Sequence, residues 1–337
     1  MRMNFTRRAA VAAVAAAMAA PLSFASLSPV LAADVTLKLG WTTSDGAKDP
    51  YAIAARAFAD ALQAEAPGAF EVQFFPNRQL GDEKEMLEGL SFGTLDAAII
   101  TNAVIANIEP AFQLNDMPFL YSSEADAHKV LDGEVGQAML AKLASRKIVG
   151  LGFAEGGFRN MINNVRPVSA PADVEGVKFR VMQNPVFIGM FKSLGGNAVP
   201  MAWGETYTAV QQGTIDGLEI PVAVIKSNKY AEVTKYLSLT KHTYSALGMM
   251  MSQKAFDKLS SKQQAAVRAA TTAAVKAQRT QVAANTAEII AALKAAGMEV
   301  NEVSDPAAFR GLVGGVYEEF KPGIGAELFD KALAQVQ

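Results

Sequence analysis

The 337-residue chain contains no cysteine. That absence removes disulfides, thiolate metal sites, cysteine nucleophiles and the lipid-modified cysteine that would tether an exported protein to a membrane. Histidine is almost as scarce, with only His128 and His242. Neither has a nucleophile or carboxylate partner at motif spacing, so acid–base and metal chemistry have no evident starting point. No GxSxG, HExxH or phosphate-binding loop occurs. Gly150-Leu151-Gly152 opens a GxG after a strand pattern, but Glu155 occupies the third glycine position of a dinucleotide fingerprint. Basic runs are missing as well. Lysine and arginine are scattered through a chain of net charge −2, without the concentrated positive face that nucleic acid requires. No apolar run reaches membrane-spanning length.

What is present begins with a targeting pattern over 1–32. Arg2, Arg7 and Arg8 precede an uncharged Ala/Val/Met core from Ala9 to Ala20, too short for a permanent anchor. Val30-Leu31-Ala32 supplies small residues for cleavage, so the mature chain is expected to start at Ala33 or Asp34. Thr6-Arg7-Arg8 hints at a twin-arginine signal, but the residues after it match poorly and ordinary secretion is expected. With no cysteine to lipidate, the product reads as freely diffusing, which in a bacterium means the periplasm.

The remainder alternates strand and helix patterns. Val35 to Trp41 reads as a strand. Asp49-Pro50 starts a helix with a stripe of Tyr51, Ala54, Ala55, Phe58 and Leu62. Phe70, Val72 and Phe74 make a second strand, and Asp82 caps a helix carrying Met86, Leu87 and Leu90. Leu95 to Ile100 is an apolar run of the kind buried in parallel sheets, ending at Thr101-Asn102. Ser123 caps a helix through Leu143. Ile148 to Phe153 is a fourth strand, followed by a glycine-rich turn ending at Phe158-Arg159. From Ser261 to Gly297 runs a long alanine-rich helix, with Ala265, Ala269, Ala273 and Ala277 one turn apart. The class is α/β with mostly parallel sheet, and in such sheets ligands sit beyond the carboxyl ends of strands. Thr42, Asn102, Arg159 and Arg180 recur at those exits.

The stretch from Gly176 to Pro221 concentrates the chemistry. Val177, Phe179 and Val181 alternate with polar neighbours, which points Arg180 away from the apolar side. Asn184-Pro185 starts a helix with Phe187, Met190, Phe191 and Leu194 on one face. A turn then delivers Trp203, Glu205 opens a helix, and Thr214 to Ile220 returns as a strand. An arginine fork beside an aromatic plate suits a small carboxylate. For each arginine an ordinary ion pair competes with a ligand contact on equal terms, and a lone tryptophan is more often core.

In this order and spacing, Phe75-Pro76 with Gln79-Leu80-Gly81, the segment Leu90 to Asp96, Asp116 to Leu120, Gly176 to Val181, Pro200 to Glu205 with Tyr207, and Asp216 to Glu219 resemble a known family. It is the solute receptors of tripartite ATP-independent periplasmic (TRAP) transporters, the DctP-like group. The resemblance implies two α/β lobes of the type II periplasmic binding kind, closing on a small acid, with a long helix spanning both. Lobe I would comprise 33–156 plus about 245–285, and lobe II 157–244 plus about 286–337. It implies that Arg180 grips the ligand carboxylate, that Arg159 is a second arginine of the site, and that Trp203 covers the ligand. First-lobe pocket positions fall on Thr42, Glu83, Thr101 and Asn102, with Phe158, Asn184, Glu219 and Ile220 completing the candidate set. Ile220 departs from the pattern, since many relatives carry an asparagine there that touches the ligand. Together with neutral Thr101, this disfavours sialic acid and leans toward a smaller or more apolar acid: a monocarboxylate, keto acid or aromatic acid. The resemblance further implies no cofactor, a monomer, and membrane subunits coupled to a sodium gradient as partners. An exported α/β enzyme, a binding protein of an ATP-driven uptake system and a sensor are the rival readings.

Overall fold

A computed structural model describes residues 33–336; the targeting pattern lies outside them. Nine strands form one sheet: β1 (Val35–Gly40), β2 (Phe70–Phe75), β3 (Ala97–Thr101), β4 (Ile148–Asn163), β5 (Lys178–Val181), β6 (Asn197–Pro200), β7 (Gly217–Pro221), β8 (Tyr236–Ser252) and β9 (Glu299–Glu302). The order is β2-β1-β3-β8-β4-β7-β5-β6, with β9 also on β8. Two parallel wings, β2-β1-β3 and β7-β5-β6, hang on a central antiparallel pair, β4 and β8. β8 holds β3 along its second half and β9 along its first.

The expected turn after Phe153 is not a turn. β4 continues to Asn163, and the glycines serve a bulge between Glu155 and Gly157. Gly157 has φ +92°, and a Cβ on Gly156 would stand 2.7 Å from the Ser245 carbonyl oxygen, so both positions require glycine. The expected helix after Ser123 breaks at Gly133 into Glu124–Asp132 and Glu134–Lys142. Caps fall where the side chains place them: Asp49 accepts from the backbone of Tyr51 and Ala52, and Asn184 from Val186.

The helix Ser261–Ala295 has 35 residues, about 50 Å of helix. Its buried stripe is Ala266, Val267, Ala270, Thr271, Ala274 and Val275, one position on from the expected alanines, which face solvent. A stripe of alanines alone cannot fix the helix's rotation, whereas burying Val267 and Val275 does. The first half of this helix packs in a core with Leu37, Leu39, Phe58 and Leu62 under β1. Its far end sends Ile289 and Leu293 into a second core with Leu218 and Leu237. The largest core runs from Met86 through Phe112 and Phe153 to Phe179, Phe187 and Phe329.

Candidate functional site

The carboxyl ends of β1 and β3 in one wing, and of β5 and β7 in the other, converge on the middle of β4 and β8. A cavity of about 30 Å³ lies there. Thr42, Thr43, Tyr51, Glu83 and Thr101 line it from one side. Arg180, Met182, Trp203, Ile220, Pro221 and Val224 line it from the other, and Gly156, Arg159 and Ser245 form the floor. That space holds about one water molecule. A groove of about 840 Å³ adjoins it, sharing Glu83, Arg180, Met182 and Trp203 as its inner wall.

Arg180 is 2% exposed, so the expected orientation away from the apolar side does not lead to solvent. Its Nε and Nη2 donate to the Met201 carbonyl oxygen at 2.9 and 2.7 Å, and Nη1 approaches the Met182 sulfur at 3.4 Å. The chain before Trp203 therefore holds this arginine with a backbone oxygen rather than a carboxylate. No ion-pair partner for Arg180 exists among the described residues. Burial pulls its pKa down, the signature of a cation stripped of water without full compensation.

Arg159, in contrast, is paired. Its Nε and Nη2 donate to both carboxylate oxygens of Glu219, and Nη2 also reaches the Glu219 backbone oxygen at 2.6 Å. Nη1 is left toward Ser245 Oγ at 3.4 Å, and the guanidinium carbon stands 5.3 Å from the Phe187 ring centre. Burial alone would push Glu219 up, but Arg159 and His242 hold it below the usual carboxylate range. His242 is fully buried, and burial keeps it neutral by pulling its pKa down. Its Nε2 donates to Glu219 at 3.2 Å, and Nδ1 accepts from Thr240 at 2.8 Å. Both histidines thus have carboxylate partners that sequence spacing concealed, His128 meeting Glu155 at 2.8 Å.

On the facing wall, Glu83 Oε1 accepts from the Thr101 backbone N–H at 2.7 Å, from Thr101 Oγ1 at 2.8 Å and from the Tyr51 hydroxyl at 3.4 Å. Tyr51 also hydrogen-bonds Thr101 Oγ1. Burial pushes Glu83 up, while the Thr101 donors and Arg180 pull it back.

Seven of the eleven candidates line the cavity: Thr42, Glu83, Thr101, Arg159, Arg180, Trp203 and Ile220. Four do not. Asn102 and Phe158 each follow or precede a lining residue and point the other way. Asn102 donates to the Phe112 carbonyl oxygen at 2.8 Å and to Asp116 at 2.9 Å, and Phe158 packs edge-on to Tyr244. Asn184 is occupied as a helix cap and as a donor to Asp116. Glu219 is spent on Arg159. Sequence reasoning missed Thr43, Tyr51, Gly156, Met182, Pro221, Val224 and Ser245. Tyr51 was legible only as core stripe, and nothing in the sequence marks Ser245.

The wings also touch directly at the rim. The Asp82 carboxylate accepts from the Glu83 N–H at 3.0 Å and from the Gly204 N–H at 2.9 Å, capping helices Glu83–Phe92 and Trp203–Gln211 together. Asn107 Nδ2 donates to the Gln183 carbonyl oxygen at 2.8 Å, and Ser227 Oγ to Asp49 at 2.7 Å.

A paired wing sheet with its polar cavity between strand ends is the architecture of an α/β ligand-binding protein. Residues 42–322 match the family model for bacterial extracellular solute-binding protein, family 7, DctP. The 2,3-diketo-L-gulonate-binding periplasmic protein YiaO of Escherichia coli is 37% identical over 90% of this chain and 92% of its own. A TRAP periplasmic solute-binding protein from Bordetella, with density interpreted as pantoate, superposes with TM-score 0.86 at 40% identity, covering 89% of this chain and 99% of that one. Another, from Polaromonas and bound to D-erythronate, gives 0.86 at 37% identity, covering 89% and 98%. The chain belongs to this family. It is therefore a solute-binding protein and not an enzyme. No helix among the described residues is long and apolar enough to cross a membrane.

Proposed function

We propose that the protein is the periplasmic receptor of a TRAP transporter and that it captures a small organic acid through Arg180. The observation that carries this is a fully buried guanidinium with no carboxylate partner, facing a polar cavity at strand ends. A ligand carboxylate supplies the missing charge, Arg159 offers its remaining Nη1 from the floor, and Trp203 covers the carbon skeleton. Relatives named for pantoate, D-erythronate and 2,3-diketo-L-gulonate, all carboxylates, support the same class.

The wings act as lobes, 33–156 plus about 245–285 and 157–244 plus about 286–337. The ligand site lies where the two wings meet, so the lobes part to load an acid and close over it. The bulge at Glu155–Gly157, beside Ser245, supports the boundary. Closure strengthens the ion pair by excluding water. The closed monomer then docks on two membrane subunits for sodium-coupled uptake.

The test is calorimetric titration of the mature protein with a panel of small carboxylates. Arg180→Ala should lose about 2–5 kcal/mol, roughly thirtyfold to several thousandfold in Kd. Unchanged acid affinity in that variant would sink the clamp.

A further inference from the structure

With no cysteine in the chain, its oxidisable sulfur is all methionine. Eleven methionines lie among the described residues, and nine of them are 4% exposed or less and packed into the three cores. Met182 and Met201 differ. Both line the groove of about 840 Å³, and Met182 lines the small cavity as well. At 6% exposure Met182 is hardly barer than the core methionines, but it faces a space that a small molecule can enter. Both residues also flank Arg180. Met182 stands one position past β5, and the period of two that carries Arg180 to the cavity brings Met182 to the same side. The Met201 carbonyl oxygen takes Nε and Nη2 of Arg180, while Nη1 has only the Met182 sulfur, at 3.4 Å. Nη1 is therefore the one guanidinium nitrogen without an oxygen acceptor among the described residues. A thioether is a weak acceptor, so this N–H is the one most ready for a stronger partner.

We propose that Met182 is an oxidation site that switches ligand binding off. The oxidant is hydrogen peroxide, small enough to enter the groove. The Met182 sulfur attacks one peroxide oxygen, the S–O bond forms as the O–O bond breaks, and water leaves. Sulfur is oxidised by two electrons and the peroxide is reduced by two. The product is a sulfoxide, which puts a polar acceptor where an apolar side chain stood. Its oxygen accepts from Nη1, so every nitrogen of Arg180 then has an oxygen partner inside the protein. A ligand carboxylate must displace one of them to bind. The inference rests on the reading of Arg180 as the carboxylate clamp and adds a control to it. Core methionines are spared because peroxide does not reach them. Oxidation of Met201 leaves its carbonyl oxygen, the atom that holds Arg180, unchanged. The switch is also reversible, since a methionine sulfoxide reductase removes the oxygen as water while a dithiol becomes a disulfide.

The test is run on the mature protein, each form compared with itself before and after hydrogen peroxide. D-erythronate and pantoate head the panel of carboxylates, and the tightest binder of the panel is the probe. Peptide mass spectrometry should place sulfoxide at Met182, and the loss of binding should follow its appearance in time. Complete oxidation should weaken the probe about 10–100-fold in wild type, the worth of one charged hydrogen bond, with the melting temperature little changed. Met182→Leu, whatever its own starting affinity, should show no change across the treatment. Met201→Leu should lose affinity as wild type does. Sulfoxide reductase with dithiothreitol should restore wild type. A wild type with Met182 fully oxidised and affinity intact overturns the switch, and so does an equal loss in Met182→Leu. Should Met182→Leu not fold, the wild-type time course decides: binding lost in step with sulfoxide elsewhere, and not at Met182, overturns the switch. In each of these cases an Arg180→Ala variant that has lost the probe leaves the clamp standing. A wild type that binds no acid of the panel overturns both.

Discussion

Asp116 lies between two asparagines, its Oδ1 accepting from Asn102 and its Oδ2 from Asn184, each at 2.9 Å. Burial outweighs these bonds and pushes its carboxyl up to about 7. The folded state therefore holds a proton that the unfolded chain has released. The stability contributed is fully present below about pH 4 and is lost as pH rises through 7. His242 works in the opposite sense. Its folded pKa is depressed, so its stabilising contribution is lost as pH falls below 6.5. Urea midpoints of wild type and Asp116→Asn, measured from pH 4 to 8, should show wild type losing on the order of 3 kcal/mol to the variant between pH 4 and 7. A constant difference would mean that Asp116 titrates normally. Residue roles of this kind were the least legible in the sequence. Arg180 and Trp203 were legible as candidates through type and position, and both line the cavity. Asn102 and Phe158 were misplaced by one step because strand and helix ends alternate sides, and a fraction of a turn decides which neighbour sees the cavity. Ser245 and the carboxylate partners of both histidines depend on packing between elements distant in the chain, which no local pattern encodes.

At the scale of elements, the long helix meets the bulge through one side chain. Gln278 is fully buried, accepts from the Glu155 N–H at 2.9 Å, and donates to the carbonyl oxygens of Glu155 and Pro50 at 2.6 and 3.1 Å. It supplies the partner that β4's irregular register denies its backbone. Gln278→Leu keeps the volume but leaves these groups unmet, and should cost about 1–3 kcal/mol. Chemical denaturation reads this as a lower midpoint with unchanged slope, and a midpoint equal to wild type would show that water replaces the amide. The helix itself was legible from Ser261 to Gly297 because its propensity is high along its whole length. Its rotation was not, because alanine occurs on every side. Caps at Asp49, Asp82 and Asn184 were also legible, since each is a local choice of side chain before a proline or a helical stripe.

For the whole molecule, the α/β class followed from alternation alone, and so did the attention to strand exits, where the cavity lies. The central pair did not. β4 was cut short at its glycines, and β8 carries buried runs from Leu237 to Thr240 and from His242 to Ser252 whose partners come from distant parts of the chain. Both wings depend on it, one directly because Ile99 of β3 pairs with Met249, the other through β4, whose Phe158 pairs with Tyr244. Fragment 33–235 should accordingly remain without cooperative structure, showing no sharp thermal transition by circular dichroism. Folding of the intact chain should be slow, since loops must close over long separations before the sheet returns any stability.

The late arrival of β8 has a consequence for how the protein is made. A growing chain presents two sets of strands, each able to pair within itself, with nothing to join them until some 250 residues have left the ribosome. Until then the edges of β3 and β4 that face the centre of the sheet lack the strand that covers them. A chain whose central strand comes this late joins its two halves only when most of it has been made.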